Sequence, residues 1–382
     1  MDKINLVENT ISVDEIDDLC KWLKTNPRLT KGKLTDEFEK SWSEYNNNKH
    51  SLFVSSGSSA NLAAFYAFKL SNLLKNNKVI LPAVSWSTTV APAIQLGYEP
   101  FLCDCNLSNF GLDLDHLKYL IKTENPGLIV TVNVLGFAND YEEILLLCKE
   151  NNILLLEDSC ESVGTVYKGK RTGTFGDIST FSFYYGHHMS TIEGGMVCTE
   201  NDVLEPILRS IRCHGWDRDL SAKDQSRLRS KYNVSDFKSL YTFYYPGFNM
   251  RCTDLQAFLG LNQLKKLDSM NNKRNDNFFH YYNDIRNKWV IDIDNYDVIS
   301  NMAYPVIVEN IGETVKNLTE SNIEHRPLIC GSIGKQPFWT NLFGEIEMKN
   351  ANIVDDLGIY VPNNPDMTKE DIEIVKSIIY GA

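Results

Sequence analysis

The sequence predicts an α/β protein with a mainly parallel sheet between helices, followed by a smaller α+β domain. Short apolar runs typical of strands alternate with helical patterns, which is the arrangement of βαβ units. Some runs, such as ILLL at 153–156, are entirely apolar, as in strands buried on both faces of a sheet. After Gly247 the alternation gives way to one long helical pattern and shorter elements.

The elements follow in order along the chain. Over residues 14–24 apolar side chains recur at helical spacing, with Asp14 at the start and Pro27 beyond the end. A second amphipathic stretch runs from Phe38 to Tyr45. The apolar runs predict strands at 51–54, 78–82, 127–134 and 153–157, with helices notably at 114–122, 141–150 and 254–270. We therefore predict a large α/β domain over 1–250, then a long linking helix and a small α+β domain over 251–382.

Composition narrows the possible partners. The chain has 382 residues, with 38 basic and 50 acidic side chains, a net charge of −12. This balance argues against nucleic acid or an anionic membrane as the main partner. No stretch resembles a secretory signal or approaches the length of an apolar membrane span. Nine scattered cysteines are typical of reduced thiols, so the predicted location is the cytoplasm.

A serine-rich turn, Ser55–Ser59, joins a predicted strand to a predicted helix and contains Gly57. Backbone N–H groups at a helix N-terminus bind anions, and glycine allows a phosphate to approach closely. The turn indicates either a phosphate site that includes Ser58 or only a helix N-cap with a tight turn.

Asp158 follows the apolar strand, at the position where open α/β sheets place ligand groups. A buried carboxylate needs a cationic partner, and a protonated pyridine nitrogen would be one. The alternative is that Asp158 simply caps the next turn.

Two adjacent histidines, His187 and His188, lie in a glycine-flanked turn between Ser182 and Glu193. They could be a general base, a metal pair or surface residues. Metal binding is the weakest of these interpretations, because adjacent residues rarely turn both rings toward one ion and a third ligand is not obvious.

Asn249 and Arg251 precede a helix start signal, Thr253-Asp254. Both side chains could contact a phosphate group. An isolated arginine is more often solvated or salt-bridged, so this motif is weak when taken alone.

In this order, the four motifs resemble the DegT/DnrJ/EryC1/StrS family of sugar aminotransferases, which are fold-type I pyridoxal-phosphate enzymes. After the serine turn, the resemblance is carried by LLLEDSCESVGTVYKGKRTGTFGD, FSFYYGHHMSTIEGGMV and FNMRCTDLQAFLG. It extends from about residue 12 through the second domain. It implies a homodimer with the active site at the subunit interface.

One position departs from the ordinary family pattern SFxxxKHxxxGEGG. Counted back from Gly194-Gly195, the residue at the position of the lysine is His187. An imidazole has no primary amine and cannot form a stable imine with the cofactor aldehyde. Pyridoxal or pyridoxamine 5′-phosphate is therefore expected to bind non-covalently. His187 can still act as a general base. With histidine in place of the lysine, the chain resembles the 3-dehydratases of the family.

The implied reaction removes the C3 hydroxyl of a nucleotide-linked 4-keto-6-deoxy sugar, with GDP-4-keto-6-deoxymannose as the implied substrate. L-Glutamate donates the amino group, and the products are a 3,6-dideoxy-4-keto sugar for surface polysaccharide, 2-oxoglutarate and ammonia. A cluster-bearing relative holds an iron–sulfur cluster on closely spaced cysteines. The segment IRCHGWDRDLSAKDQ has only Cys213, so no iron–sulfur cluster is expected here.

The resemblance also implies how one subunit holds the cofactor. Gly57 and Ser58 would bind its phosphate through backbone amides, and Ser182 through its hydroxyl. Trp86 would stack on the pyridine ring. Asp158 would keep the pyridine nitrogen protonated, which maintains the electron sink.

Further roles are implied around the cofactor. Glu161, where many relatives have glutamine, would orient the cofactor hydroxyl or a bound amine. Asn249 and Arg251 would reach the cofactor phosphate or the substrate of the neighbouring subunit. The remaining expected substrate contacts are His188, His214 and Arg218.

Two other functions stay open on the sequence. One is an aminotransferase that tolerates the histidine, and the other is a non-catalytic sensor that binds the cofactor or a nucleotide sugar. The sensor is disfavoured by the presence of Asp158, Ser182, Glu193 and Asn249, because a decayed site need not keep an electron-sink carboxylate.

Overall fold

The computed structural model describes residues 3–283 and 293–380. The strands of these residues are β1 (His50–Val54), β2 (Lys78–Pro82), β3 (Glu99–Cys103), β4 (Leu128–Val132), β5 (Leu154–Asp158), β6 (Val166–Tyr167), β7 (Lys170–Arg171), β8 (Ile178–Ser182), β9 (Gly195–Thr199), β10 (Tyr296–Val298), β11 (Ala303–Ile307), β12 (Arg326–Pro327) and β13 (Gly358–Pro362). The helices are α1 (Val13–Leu23), α2 (Lys33–Asn46), α3 (Gly57–Ser71), α4 (Ser87–Gln95), α5 (Leu114–Glu124), α6 (Tyr141–Asn151), α7 (Leu204–Ile211), α8 (Ala222–Tyr232), α9 (Asp236–Ser239), α10 (Asp254–Tyr282), α11 (Ile311–Glu320), α12 (Pro337–Phe343), α13 (Lys349–Leu357) and α14 (Lys369–Ile379).

The main sheet has seven strands in the order β1-β9-β8-β5-β4-β2-β3. Across this sheet, the neighbouring strands β3, β2, β4, β5 and β8 pair in parallel in that order, whereas β9 is antiparallel to both of its neighbours. The carboxyl ends of β1, β5 and β8 therefore lie at one edge of the sheet. The prediction of a mainly parallel mixed sheet is confirmed.

Helices cover both faces of this sheet, which explains its wholly apolar strands. Along β4, Leu128 and Val130 belong to the core beneath α3 and α4, whereas Ile129 points into the core beneath α5 and α6. Successive side chains alternate between faces, so a strand buried on both sides carries no polar alternation.

Helix ends follow the local capping chemistry. Ser56 caps α3 by accepting a hydrogen bond from the Ser59 amide at 3.0 Å, and Thr253 caps α10 in a capping box with Gln256. The helix predicted over 254–270 continues to Tyr282. The predicted helix at 14–24 forms as α1, but none of its side chains is buried in this chain.

The C-terminal part contains a second sheet, β11-β13-β12, which is antiparallel. Ile4 forms a parallel bridge to Ile323 beside this sheet, so the N-terminal segment joins the C-terminal part of the fold. The predicted domain division at residue 250 stays a prediction. Among the described residues, no helix is both long and apolar enough to cross a membrane.

Candidate active site

A cavity of about 690 Å³ opens at the edge where β1, β5 and β8 end. The sheet topology explains its lining, since motifs that follow different parallel strands meet at the same edge. The predicted site residues that line it are Gly57, Ser58, Trp86, Asp158, Glu161, Ser182 and His187.

The serine turn places the N-terminus of α3 at this cavity. The first N–H groups of a helix have no acceptor within the helix, and Gly57 and Ser58 are the first two residues of α3. Ser182 lies beside these two residues. A β-carbon added to Gly57 would be only 2.7 Å from the Ser182 Cβ. Free amides, a hydroxyl and a helix dipole suit a phosphate group.

Gly57→Ala is expected to weaken pyridoxal phosphate binding and to cost about 1–3 kcal/mol of stability. The added methyl would lie 2.7 Å from the Ser182 Cβ and 3.0 Å from the Cys160 Sγ, so the serine turn must shift. Cofactor titration and urea unfolding measure the two effects. Gly312→Ala is the control, because outside the adjoining residues and the backbone of its own helix the nearest atom to the added methyl is Asn310 Oδ1, at 3.8 Å. Equal losses in both variants would contradict the prediction.

Asp158 is buried, and protein groups donate three hydrogen bonds to its carboxylate. It accepts from Asn61 Nδ2 at 2.8 Å, from Thr89 Oγ1 at 2.7 Å and from the Cys160 amide at 3.1 Å. Among the residues described here, no ion pair involves Asp158. A buried anion with donors but no cation fits a positively charged ring nitrogen of a ligand.

Sequence reasoning missed Asn61 and Thr89, which hold the Asp158 carboxylate. Asn61 lies four residues after Gly57 on the same face of α3, and this i, i+4 spacing could have identified it. Thr89 lies in the first turn of α4, three residues after Trp86. Trp86 itself is half-exposed at the mouth of the cavity, at 54%.

His187 lies in the loop after β8, on the cavity wall. Loss of solvent around its ring lowers its pKa to about 4, against the upward influence of the Asp158 carboxylate; the Arg274 guanidinium lowers it further. Its imidazole is therefore neutral near pH 7, and a neutral imidazole can accept a proton.

His188 does not line the cavity. Its side chain has no exposed surface, and Nε2 is bonded to the Ser300 carbonyl at 2.9 Å. Burial lowers its pKa well below the usual value. The expectation that His188 contacts substrate is corrected, because its ring points into the protein interior.

Glu161 lies at the base of the cavity. Its Oε2 accepts a hydrogen bond from the Leu135 amide at 2.9 Å. Burial, with a smaller contribution from the charge of Asp158, raises its pKa to about 8. Leu135 has φ of 45°, a left-handed conformation that is rare for leucine, and this turn aims its amide at the carboxylate.

A second group of predicted residues lies outside this cavity. Arg251 bonds to Asn249 Oδ1 at 3.1 Å and to His214 Nε2 at 3.4 Å. The Arg218 guanidinium stacks on Trp216, with 4.0 Å to the ring centroid. The structure thus brings these predicted residues together as an exposed basic and aromatic cluster.

Several residues that line the cavity come from distant parts of the chain and were not predicted. The N-terminal segment contributes Asn5–Glu8, and the C-terminal sheet contributes Arg326 and Tyr360. The Leu6 amide donates to Glu324 at 3.0 Å, which ties the two parts together. No local pattern signals such contacts.

Comparisons with known proteins show which proteins this chain is similar to. A GDP-4-keto-6-deoxy-D-mannose 3-dehydratase of Yersinia pseudotuberculosis is 33% identical over 386 residues, covering 98% of this chain and 97% of that protein. Two solved structures of GDP-4-keto-6-deoxymannose-3-dehydratase superimpose with a TM-score of 0.87. One is a histidine-to-asparagine variant with bound GDP-perosamine, 28% identical over 99% of this chain and 100% of the other. The second contains a trapped PLP-glutamate geminal diamine, 29% identical over 98% of this chain and 100% of the other.

The family assignment covers nearly the whole chain. The model of the DegT/DnrJ/EryC1/StrS aminotransferase family matches residues 10–379, which include every residue of the serine turn, the Asp158 turn and the histidine loop. The chain therefore belongs to the DegT/DnrJ/EryC1/StrS aminotransferase family.

Proposed function

We propose that this chain is a pyridoxal-phosphate-dependent 3-dehydratase of a nucleotide-linked 4-keto-6-deoxy sugar, with GDP-4-keto-6-deoxymannose as substrate and L-glutamate as amino donor. The observation that carries the proposal is the pairing of two features in one cavity. Asp158 is a buried carboxylate without a cation among the described residues, and His187 lines the same cavity. The motif resemblance assigns His187 to the position of the cofactor-binding lysine.

The residues of the cavity fit the cofactor. The amides of Gly57 and Ser58 and the hydroxyl of Ser182 would hold its phosphate, and Trp86 would cover one face of its ring. Asp158 would hold a proton on the pyridine nitrogen. When bound, pyridoxal phosphate supplies a conjugated ring that accepts an electron pair from the reacting carbon.

His187 would remove the proton that starts loss of the C3 hydroxyl. Its pKa of about 4 leaves the imidazole unprotonated near pH 7, in the form that a general base requires. Because it has no primary amine, it cannot hold the cofactor covalently as a lysine does. This difference favours elimination over transfer of the amino group to the sugar.

The proposed function also implies the ligands and the oligomeric state of the protein. The two superimposed structures contain GDP-perosamine and a PLP-glutamate geminal diamine, which supports a nucleotide sugar and L-glutamate as ligands of this chain. We propose a homodimer in which Asn249 and Arg251 reach the neighbouring subunit's ligand, with His214 and Arg218 on its sugar or diphosphate. Nine cysteines without disulfides fit the cytoplasm.

The decisive experiment is the mass of the sugar-nucleotide product. The protein is incubated with pyridoxal phosphate, L-glutamate and GDP-4-keto-6-deoxymannose. We expect loss of one oxygen from the sugar with release of 2-oxoglutarate and ammonia. An amine in place of the ketone would indicate an aminotransferase. An unchanged sugar with glutamate still consumed would overturn the substrate assignment.

A further inference from the structure

Two carboxyl groups share the base of the cavity, and their surroundings differ sharply. Asp158 accepts hydrogen bonds from Asn61, Thr89 and the Cys160 amide. Glu161 accepts one, from the Leu135 amide to Oε2. Each donor to a carboxylate stabilises its charged form. The cavity therefore stabilises charge on Asp158 far more than on Glu161.

The groups that face Glu161 offer it no compensating charge. They are Asp158 from β5, Cys160 from the following turn, Cys330 from the loop after β12 and Tyr360 from β13. Each is neutral or negative near pH 7. The guanidinium of Arg326, which pairs in register with Tyr360, forms an ion pair with Glu324 at 3.2 Å. Ionised Glu161 would be a second buried anion beside Asp158, which is costly.

We propose that Glu161 is held as a neutral carboxylic acid and donates its hydroxyl hydrogen to a lone pair of the ligand bound against Asp158. One oxygen is occupied by the Leu135 amide, so the other is the one available to the cavity. When environments separate two carboxyl groups in this way, the charged one and the acid can be assigned. The raised pKa of Glu161, about 8, agrees with this assignment.

The inference rests on the proposed function for the identity of the ligand, which is pyridoxal phosphate, with the oxygen of the hydroxyl group on its ring as the acceptor. With Glu161 neutral, the cavity base carries one negative charge, and this matches the single positive charge of a protonated pyridine. A glutamine accepts from the Leu135 amide and donates through its NH₂ group, as a protonated glutamate does.

The protonation state is tested on the protein without ligand, independently of the proposed function. Infrared difference spectra between pH 6 and pH 9 should show a buried carboxylic acid that ionises near pH 8 and is lost in Glu161→Gln. The exposed Glu37→Gln variant should keep that signal. A Glu161 carboxylate already ionised at pH 6 would overturn the proposal.

Urea unfolding gives a second measurement. The pKa of Glu161 is higher in the folded than in the unfolded protein, so the folded state binds more protons between about pH 4.5 and pH 8. Its contribution to stability therefore decreases as pH rises through this range. We expect Glu161→Gln to gain stability relative to wild type from pH 5 to pH 8, whereas Glu37→Gln should not; a parallel dependence in wild type and Glu161→Gln would contradict the proposal.

The direction of the hydrogen bond is tested by comparing pyridoxal phosphate affinity in Glu161→Gln and Glu161→Met. Glutamine retains a donor and methionine does not, so the methionine variant should bind about two- to tenfold more weakly than the glutamine variant, the usual effect of one hydrogen bond. Equal affinities would show that Glu161 donates nothing to the ligand. The infrared result stands apart from this comparison, so failure of the ligand assignment and failure of the protonation state are distinguishable.

Discussion

His187→Gln is expected to lower the rate of C3 deoxygenation by about 10²–10⁴-fold, the usual contribution of a positioned general base. Glutamine keeps hydrogen-bonding atoms and approximate size but cannot accept a proton near neutral pH. Binding of pyridoxal phosphate should persist, because the serine turn and Asp158 are unchanged. The product assay by mass, with cofactor binding measured separately, checks both parts.

The matched control is His50→Gln. His50 lies at the start of β1 and is bonded to Asp202 at 2.8 Å, remote from the cavity. It should keep wild-type turnover. If His187→Gln deoxygenates the sugar as fast as His50→Gln, the base is another residue and the account of the lysine-to-histidine replacement is wrong.

The position of the site at the carboxyl ends of the strands could be predicted, because the motifs that form it are local in sequence. Gly57, Asp158 and Ser182 each follow or end a strand, and parallel strands bring their carboxyl ends together. The strands themselves were readable from their apolar composition, since both faces of the sheet are covered. The resemblance to the family added the role of His187, which composition and spacing left open among three interpretations.

Side-chain direction was the part that the sequence could not supply. His187 and His188 are adjacent, yet one ring lies on the cavity wall and the other bonds to Ser300 in the interior. The motif spacing assigns His187 to the lysine position, but the sequence does not show in which direction either ring points. The contribution of Arg326 was equally hidden, because it reaches the cavity through a C-terminal sheet far away in sequence.

Asp158→Asn is expected to weaken pyridoxal phosphate binding and to slow deoxygenation by about 10²-fold or more. Removing one partner of a buried, hydrogen-bonded charge pair costs about 3–5 kcal/mol, and each 1.4 kcal/mol is tenfold in affinity. An asparagine also presents its NH₂ group toward donors that now lack an acceptor, Asn61 and Thr89. Equilibrium titration with the cofactor and product analysis at saturating cofactor separate binding from chemistry.

The control variant is Asp115→Asn, because Asp115 lies in the exposed first turn of α5. It removes the same charge where no ligand binds, so both affinity and turnover should stay at wild-type values. If Asp158 stabilises only the fold, Asp158→Asn would lose stability in urea but keep its turnover once saturated with cofactor. If it holds the proton on the pyridine nitrogen, saturation restores binding without restoring the rate, because the electron sink depends on that proton.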